Sequence, residues 1–161
     1  MSETLVVANK IFDILEQERR LKCSFLKKED NFCYIKVENH KNNNQNCIII
    51  ENDIFFQVDD EEYFSLDEYE EATKKFVNEL ENTVDIRISC IDENGENVEY
   101  GFYSSKADSK KIIEETVVKL KNEYSFINKV EKMTVSNFFG DFGFQADWNG
   151  KTFIESSSMK R

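Results

Sequence analysis

Near the start of the chain, apolar residues recur at helical spacing. Leu5, Ala8, Ile11, Phe12 and Leu15 share one face, which predicts an amphipathic helix over residues 3–20. Ser2 or Thr4 is placed to cap its start, and Arg19 and Arg20 sit where cations favour a helix end. The period then drops to two. Leu21, Cys23 and Phe25 alternate with polar neighbours, and Cys33, Ile35 and Val37 do so after the polar turn 27–31, as in a hairpin with one buried face. Residues 38–46 (ENHKNNNQN) have the composition of a flexible loop. Short β-prone runs follow at 47–50, 54–58 and 63–65.

Ser65-Leu66-Asp67-Glu68 fits a capping box, in which the serine hydroxyl and the glutamate satisfy each other's backbone amides. The stripe Leu66, Tyr69, Phe76, Val77 and Leu80 then predicts a helix over 66–81. A second hairpin is expected from 84–91 and 97–103, turned at Asn94-Gly95. Ile112, Ile113, Val117, Leu120 and Tyr124 mark a third helix over 108–124, capped by Ser105 or Asp108. The tail is β again at 130–137, 142–148 and 151–156, with a hairpin turn at Asn149-Gly150, and 159–161 are expected to fray. The fold class is therefore α+β: one or more antiparallel sheets built from hairpins, covered on one face by about three helices, in the order α-ββ-ββ(β)-α-ββ-α-βββ. At 161 residues one compact domain, 1–161, is expected. In element order over about 1–124 the chain is similar to the secretion-chaperone class of folds, a likeness that includes no motif and that the C-terminal β segment departs from.

Composition narrows the function classes. No apolar run approaches the length of a membrane span, and the amino terminus has no basic region leading into an apolar core, so a cytoplasmic protein is expected. Cys23, Cys33, Cys47 and Cys90 form no C-x-x-C pair and read as small buried residues. The formal net charge is −11. Its distribution changes the picture: residues 42–105 hold 17 acidic residues against three basic ones, while the flanks together are slightly basic. Direct binding to nucleic acid, which rests on Lys and Arg, is not expected.

Several constellations invite chemistry. Asp141-Phe142-Gly143 spells a kinase tripeptide, but no glycine-rich loop or catalytic loop accompanies it. Cys33, His40 and Cys47 are evenly spaced, yet C-x6-H-x6-C matches no common zinc pattern. The sequence from Asp92 has its glycine at the fourth position, where it serves a turn and not a calcium loop. Paired carboxylates for general acid/base work cannot be singled out from so many acids. No cofactor or metal is expected. The rings of Phe138, Phe139, Phe142, Phe144 and Trp148 read as core, and consecutive pairs such as Phe55-Phe56 and Phe138-Phe139 place one ring on each side of a strand. An outward set of such rings on an open sheet face would mark a partner or dimer surface.

The acidic block has an ordinary explanation, a solvated surface. Its one-sidedness argues instead for a field that steers a basic partner, because a like-charge block repels itself. The expected function is a non-catalytic inhibitor, immunity or anti-defence module that occupies the basic, nucleic-acid-handling face of a nuclease or defence effector. The expected contacts are Asp59, Asp60, Glu61, Glu62, Asp67, Glu68, Glu70, Glu71, Asp92, Glu93 and Glu96. One alternative is a chaperone or adaptor, expected as a homodimer, that holds a client through apolar surface or a sheet edge. A small carboxylate-dependent enzyme is the third reading.

Overall fold

The computed structural model describes residues 2–58, 62–123 and 129–160. Among these, three α-helices and two five-stranded antiparallel sheets form, an α+β fold. The chain divides into two compact units, residues 1–81 and 82–161, and each sheet belongs to one of them.

The first unit opens with α1 (Glu3–Glu16), followed by a five-strand meander. Its strands are β1 (Leu21–Glu29), β2 (Phe32–Asn39), β3 (Gln45–Glu51), β4 (Phe55–Val58) and β5 (Glu62–Ser65). The period-two pattern sorts one face inward. Cys33, Ile50 and Phe56 form one cross-strand row and Ile35, Ile48 and Val58 the next, all buried. Val7, Ala8, Ile11 and Leu15 of α1 are buried, and the helix packs across β1, β2 and β3. Phe12 stacks on Phe25 of β1 with ring centroids 4.7 Å apart.

Helix α1 ends at Glu16, four residues short of the expected end. The Gln17 amide already turns back to the Ile14 carbonyl, and Arg20 serves the helix–strand connection by pairing with Glu18 at 2.6 Å and Glu81 at 3.5 Å. Of the two candidate caps, Ser2 accepts from the Leu5 amide and also bonds the Asp30 carbonyl. Thr4 has another partner. The β3–β4 connection runs through Asn52 (φ 55°) and Asp53 (φ 57°), a left-handed pair that Asn and Asp tolerate better than other side chains. That twist aims Asp53 at the helix start. Its Oδ1 accepts from the Thr4 amide at 2.6 Å and the Thr4 hydroxyl at 2.7 Å, and its own amide donates to Thr4 Oγ1 at 2.8 Å.

The asparagine-rich segment is shorter than the composition implied. Glu38–Asn39 continue β2 and Gln45–Asn46 begin β3, because Glu38 pairs with Gln45 and Val37 with Asn46. Asparagine side chains build the turn between them: Asn39 Oδ1 accepts from the Lys41 amide and Asn42 Oδ1 from the Asn44 amide. After β5, residues Leu66–Glu68 form a 3-10 turn that runs into α2 (Tyr69–Asn82).

The second unit contains β6 (Thr83–Ile91), β7 (Asn97–Ser105), α3 (Ser109–Glu123), β8 (Lys129–Asn137), β9 (Phe142–Trp148) and β10 (Phe153–Lys160). The sheet order is β10-β9-β8-β6-β7, with β8 returning beside β6 after α3. Val84, Ile86 and Ile88 of β6 share one buried cluster with Ile112, Ile113 and Leu120 of α3, Met133 and Val135 of β8 and Phe144 of β9. Asp108 caps α3, its carboxylate accepting from the Lys111 amide at 2.9 Å.

The hairpin turn expected at Asn94-Gly95 forms: Gly95 supplies the positive φ (79°) and its amide bonds the Asp92 carbonyl. Two local expectations need correction. Phe138 and Phe139 lie in the turn after β8, with their rings edge to face at 5.5 Å, and not on two sides of a strand. Strand β10 runs to Lys160, where fraying was expected, because Met159 and Lys160 pair with Gly143 and Phe142. Tyr124 and Arg161 lie outside the described residues.

The Thr4–Asp53 junction predicts a pH-dependent stability. The Thr4 hydroxyl, and then the Thr4 amide, hold the Asp53 carboxyl below its usual range. A lowered folded value gives stability that is complete above the ordinary carboxylate pKa and is lost as pH falls through the lowered one. Asp53→Asn should therefore lower the melting temperature at pH 7 and flatten its dependence on pH in the acid range. Thr4→Val, at a fully buried position, should lower the denaturant midpoint at pH 7, because both bonds of its hydroxyl to Asp53 are lost.

Candidate partner-binding surface

The acidic candidates fall into two groups, one on each unit. Asp59, Asp60 and Glu61 lie outside the described residues. Glu62 opens β5, and Asp67, Glu68, Glu70 and Glu71 surround the start of α2. Asp92, Glu93 and Glu96 occupy the β6–β7 turn of the second unit. Residues 1–81 carry 19 acidic and 10 basic side chains, a net of −9, whereas residues 82–161 carry 13 and 11, a net of −2. The acidic field is thus chiefly a property of the first unit.

Local structure already uses several of these carboxylates. Glu68 accepts from the Ser65 amide at 3.1 Å, its half of the capping box. Asp67 Oδ1 lies 2.5 Å from the Ser65 hydroxyl. Glu70 pairs with Lys74 at 3.2 Å, and Lys75 lies 3.6 Å from Glu62 and 3.7 Å from Glu79. Asp92 Oδ1 accepts from the amides of Asn94 and Glu96, which closes the turn and leaves that oxygen unfit as a calcium ligand. Glu71, Glu93 and Glu96 are exposed and make no ion pair among the described residues. Exposed pairs such as Glu70–Lys74 are worth little in themselves, so the net charge of the first unit is what a partner at a distance would sense.

The other constellations come apart. Cys33 points to the inner face of β2, while Cys47, opposite Lys36, belongs to the outer face, and His40 is exposed in the turn. Among the described residues no three His, Cys, Asp or Glu side chains gather as a metal site. Asp141 bonds the Asn137 amide group at 2.6 Å and closes the β8–β9 turn. Phe139 and Phe144 are buried, and Trp148 packs edge to face on buried Phe153 at 4.9 Å.

The outer face of the first sheet carries the row Tyr34, Ile49, Gln57 and Tyr63, with Phe55 beside Tyr63 at 5.4 Å. Tyr63 is 64% exposed, and Leu26, set out by a bulge in β1, is 59% exposed. The run Ile48-Ile49-Ile50 was the available clue, because three consecutive branched residues in a strand put one on the outward side. Leu26, Tyr34 and Cys47, with Lys36, Gln45 and Asn46, line a shallow depression of about 310 Å³ that contains no carboxylate.

No described helix is long and apolar enough to cross a membrane. No family model, curated protein or solved structure matches the chain, so the outline likeness to secretion chaperones carries no argument.

The cysteines supply a test of the native packing. Burial, with a smaller contribution from Glu16, pushes the Cys23 thiol up to about 11, and burial raises those of Cys33 and Cys90 as well. At pH 8 an alkylating reagent should leave all three essentially unmodified in the native protein and label them on denaturation. Peptide mapping of the labelled sites checks this.

Proposed function

We propose that the chain is a non-catalytic protein-binding module whose first unit presents an acidic surface to a basic partner, one that handles nucleic acid through the same basic surface. The observation that carries this reading is the charge of the first unit, a net of −9 with exposed Asp67, Glu68, Glu70 and Glu71 crowded at the start of α2. Carboxylates fixed on a helix start and a strand edge can meet the Lys and Arg side chains that otherwise meet phosphates. This assigns an inhibitor, immunity or anti-defence role. The outer apolar face of the first sheet favours a second reading, an adaptor that holds a client through Tyr34, Ile49, Phe55 and Tyr63.

Salt separates the two. The chain, immobilised and exposed to host extract, should retain basic proteins at low ionic strength and release them as salt rises, because screening shortens to about 8 Å at physiological strength. With an isolated partner, association should slow at least roughly tenfold from low to high salt. Glu70→Lys with Glu71→Lys should remove most of that binding while far-UV circular dichroism stays unchanged. Retention that ignores both salt and these substitutions would overturn the acidic reading, and loss on Tyr63→Ser with Phe55→Ser would support the adaptor.

A further inference from the structure

The two sheets have four edge strands, and three of them carry features that discourage another strand from pairing. β1 is broken by a bulge between Phe25 and Lys27 and bears Lys22, Lys27 and Lys28. β10 is broken between Glu155 and Ser157. β5 is four residues long. β7 differs: it has nine residues in unbroken register with β6, no proline, no lysine and one charge, Glu99. Val98, Tyr100, Phe102 and Tyr103 give it strong β propensity.

The direction of its backbone groups follows from the turn. The Asp92 amide donates to the Glu96 carbonyl at 2.9 Å. From that pair an antiparallel ladder alternates, so the amides and carbonyls of Val98, Tyr100, Phe102 and Ser104 face β6. Those of Asn97, Glu99, Gly101, Tyr103 and Ser105 face away from the sheet, and all five residues are exposed. Among the described residues no strand pairs on that side.

We propose that β7 pairs antiparallel with β7 of a second copy of this chain, about a two-fold axis at Gly101. Three observations select a second copy as the occupant. This register uses the whole strand, and it matches outward backbone groups to outward backbone groups at every step. It sets Tyr100 against Phe102, and Glu99 against Tyr103 and not against its own counterpart. One residue beyond each strand end it sets Glu96 opposite Lys106, both exposed. The Lys106 ammonium, which lies 5.3 Å from the Phe142 ring in the single chain, turns from that ring to meet Glu96 of the second copy at each end of the ladder. The second unit also has a net charge of only −2, so the unit that carries the interface adds little like-charge repulsion of its own. Arg87 does not spoil the centre: it lies over Gly101, where an added Cβ would sit 3.1 Å from its Cδ, and is neutralised by Asp85 at 2.9 Å and Glu99 at 3.4 Å.

Sedimentation of the full chain across a wide concentration range tests this. The mass should rise from 19.0 kDa toward twice that value. Hydrogen exchange at the amides of Asn97, Glu99, Gly101, Tyr103 and Ser105 should slow as concentration rises. Tyr103→Pro removes an outward amide that β6 does not use and should give a folded monomer. Lys106→Glu should weaken the dimer by roughly tenfold, since two exposed pairs become repulsive, and adding Glu96→Lys should restore it. The charge swap keeps the test decisive if the proline variant fails to fold. A mass of 19.0 kDa at every concentration overturns the proposal, as does a dimer indifferent to the charge reversal and its rescue.

Discussion

One geometric demand governs the first unit: its five-stranded sheet must keep helix α1 in register with the buried face. The side-chain period of a strand is two, so a slip of one residue would carry Ile35, Ile48 and Phe56 to the outer side. Burial therefore resists a slip of the strands strongly, but it resists a slide of the helix over the sheet only weakly, because one apolar surface moves over another at modest cost. The start of α1 resists it by direction. Ser2 is tied to Asp30 in the β1–β2 turn, Thr4 to Asp53 in the β3–β4 turn, and the Asn52 amide to the Asn31 carbonyl, which joins the two turns. Helix start and both turns thus share one set of bonds. A polar cluster with every bond made specifies one arrangement, and here no buried side-chain polar atom among the described residues lacks a partner.

That cluster bears on the acidity of the chain. Asp53, Glu68 and Asp92 each bond backbone amides, so part of the acidic block is explained by turns and helix starts. Carboxylates suit those places because a helix start presents unsatisfied N–H groups and partial positive charge. What local structure leaves over is unevenly shared between the units. Lys74 and Lys75 serve three of the glutamates around them and offset little of the total. A field of that kind acts before contact, on encounter rate and choice of partner, more than on the strength of the final complex.

Periodicity carried the fold because each element here repeats its own signal: Ile35 and Val37, or Val84, Ile86 and Ile88, alternate over long enough runs to leave little choice. The capping box at Ser65 and the cap at Asp108 were legible for the same reason, being local in sequence. Contacts between distant segments were not. Nothing in residues 1–10 announces that Thr4 bonds a carboxylate 49 positions away, and nothing near Arg20 announces Glu81. Composition does not distinguish Glu71, exposed and without an ion pair among the described residues, from Glu68, committed to a backbone amide. The separation of the hairpins into two sheets was also hidden, because β8 pairs with β6 only after a helix intervenes.

Natural sheets protect open edges when pairing would be harmful, and this chain does so at β1, β5 and β10. Leaving β7 long, regular and almost uncharged is costly unless something occupies it, since an unguarded edge with Tyr100, Phe102 and Tyr103 invites any strand. The proposed self-complementary register would answer that risk by giving the edge a preferred occupant. It would also link two acidic surfaces, so that a partner with two sites would meet the second at a high effective concentration. Screening weakens each contact modestly but weakens their product strongly, so a dimer would respond to ionic strength more sharply than either acidic surface acting alone.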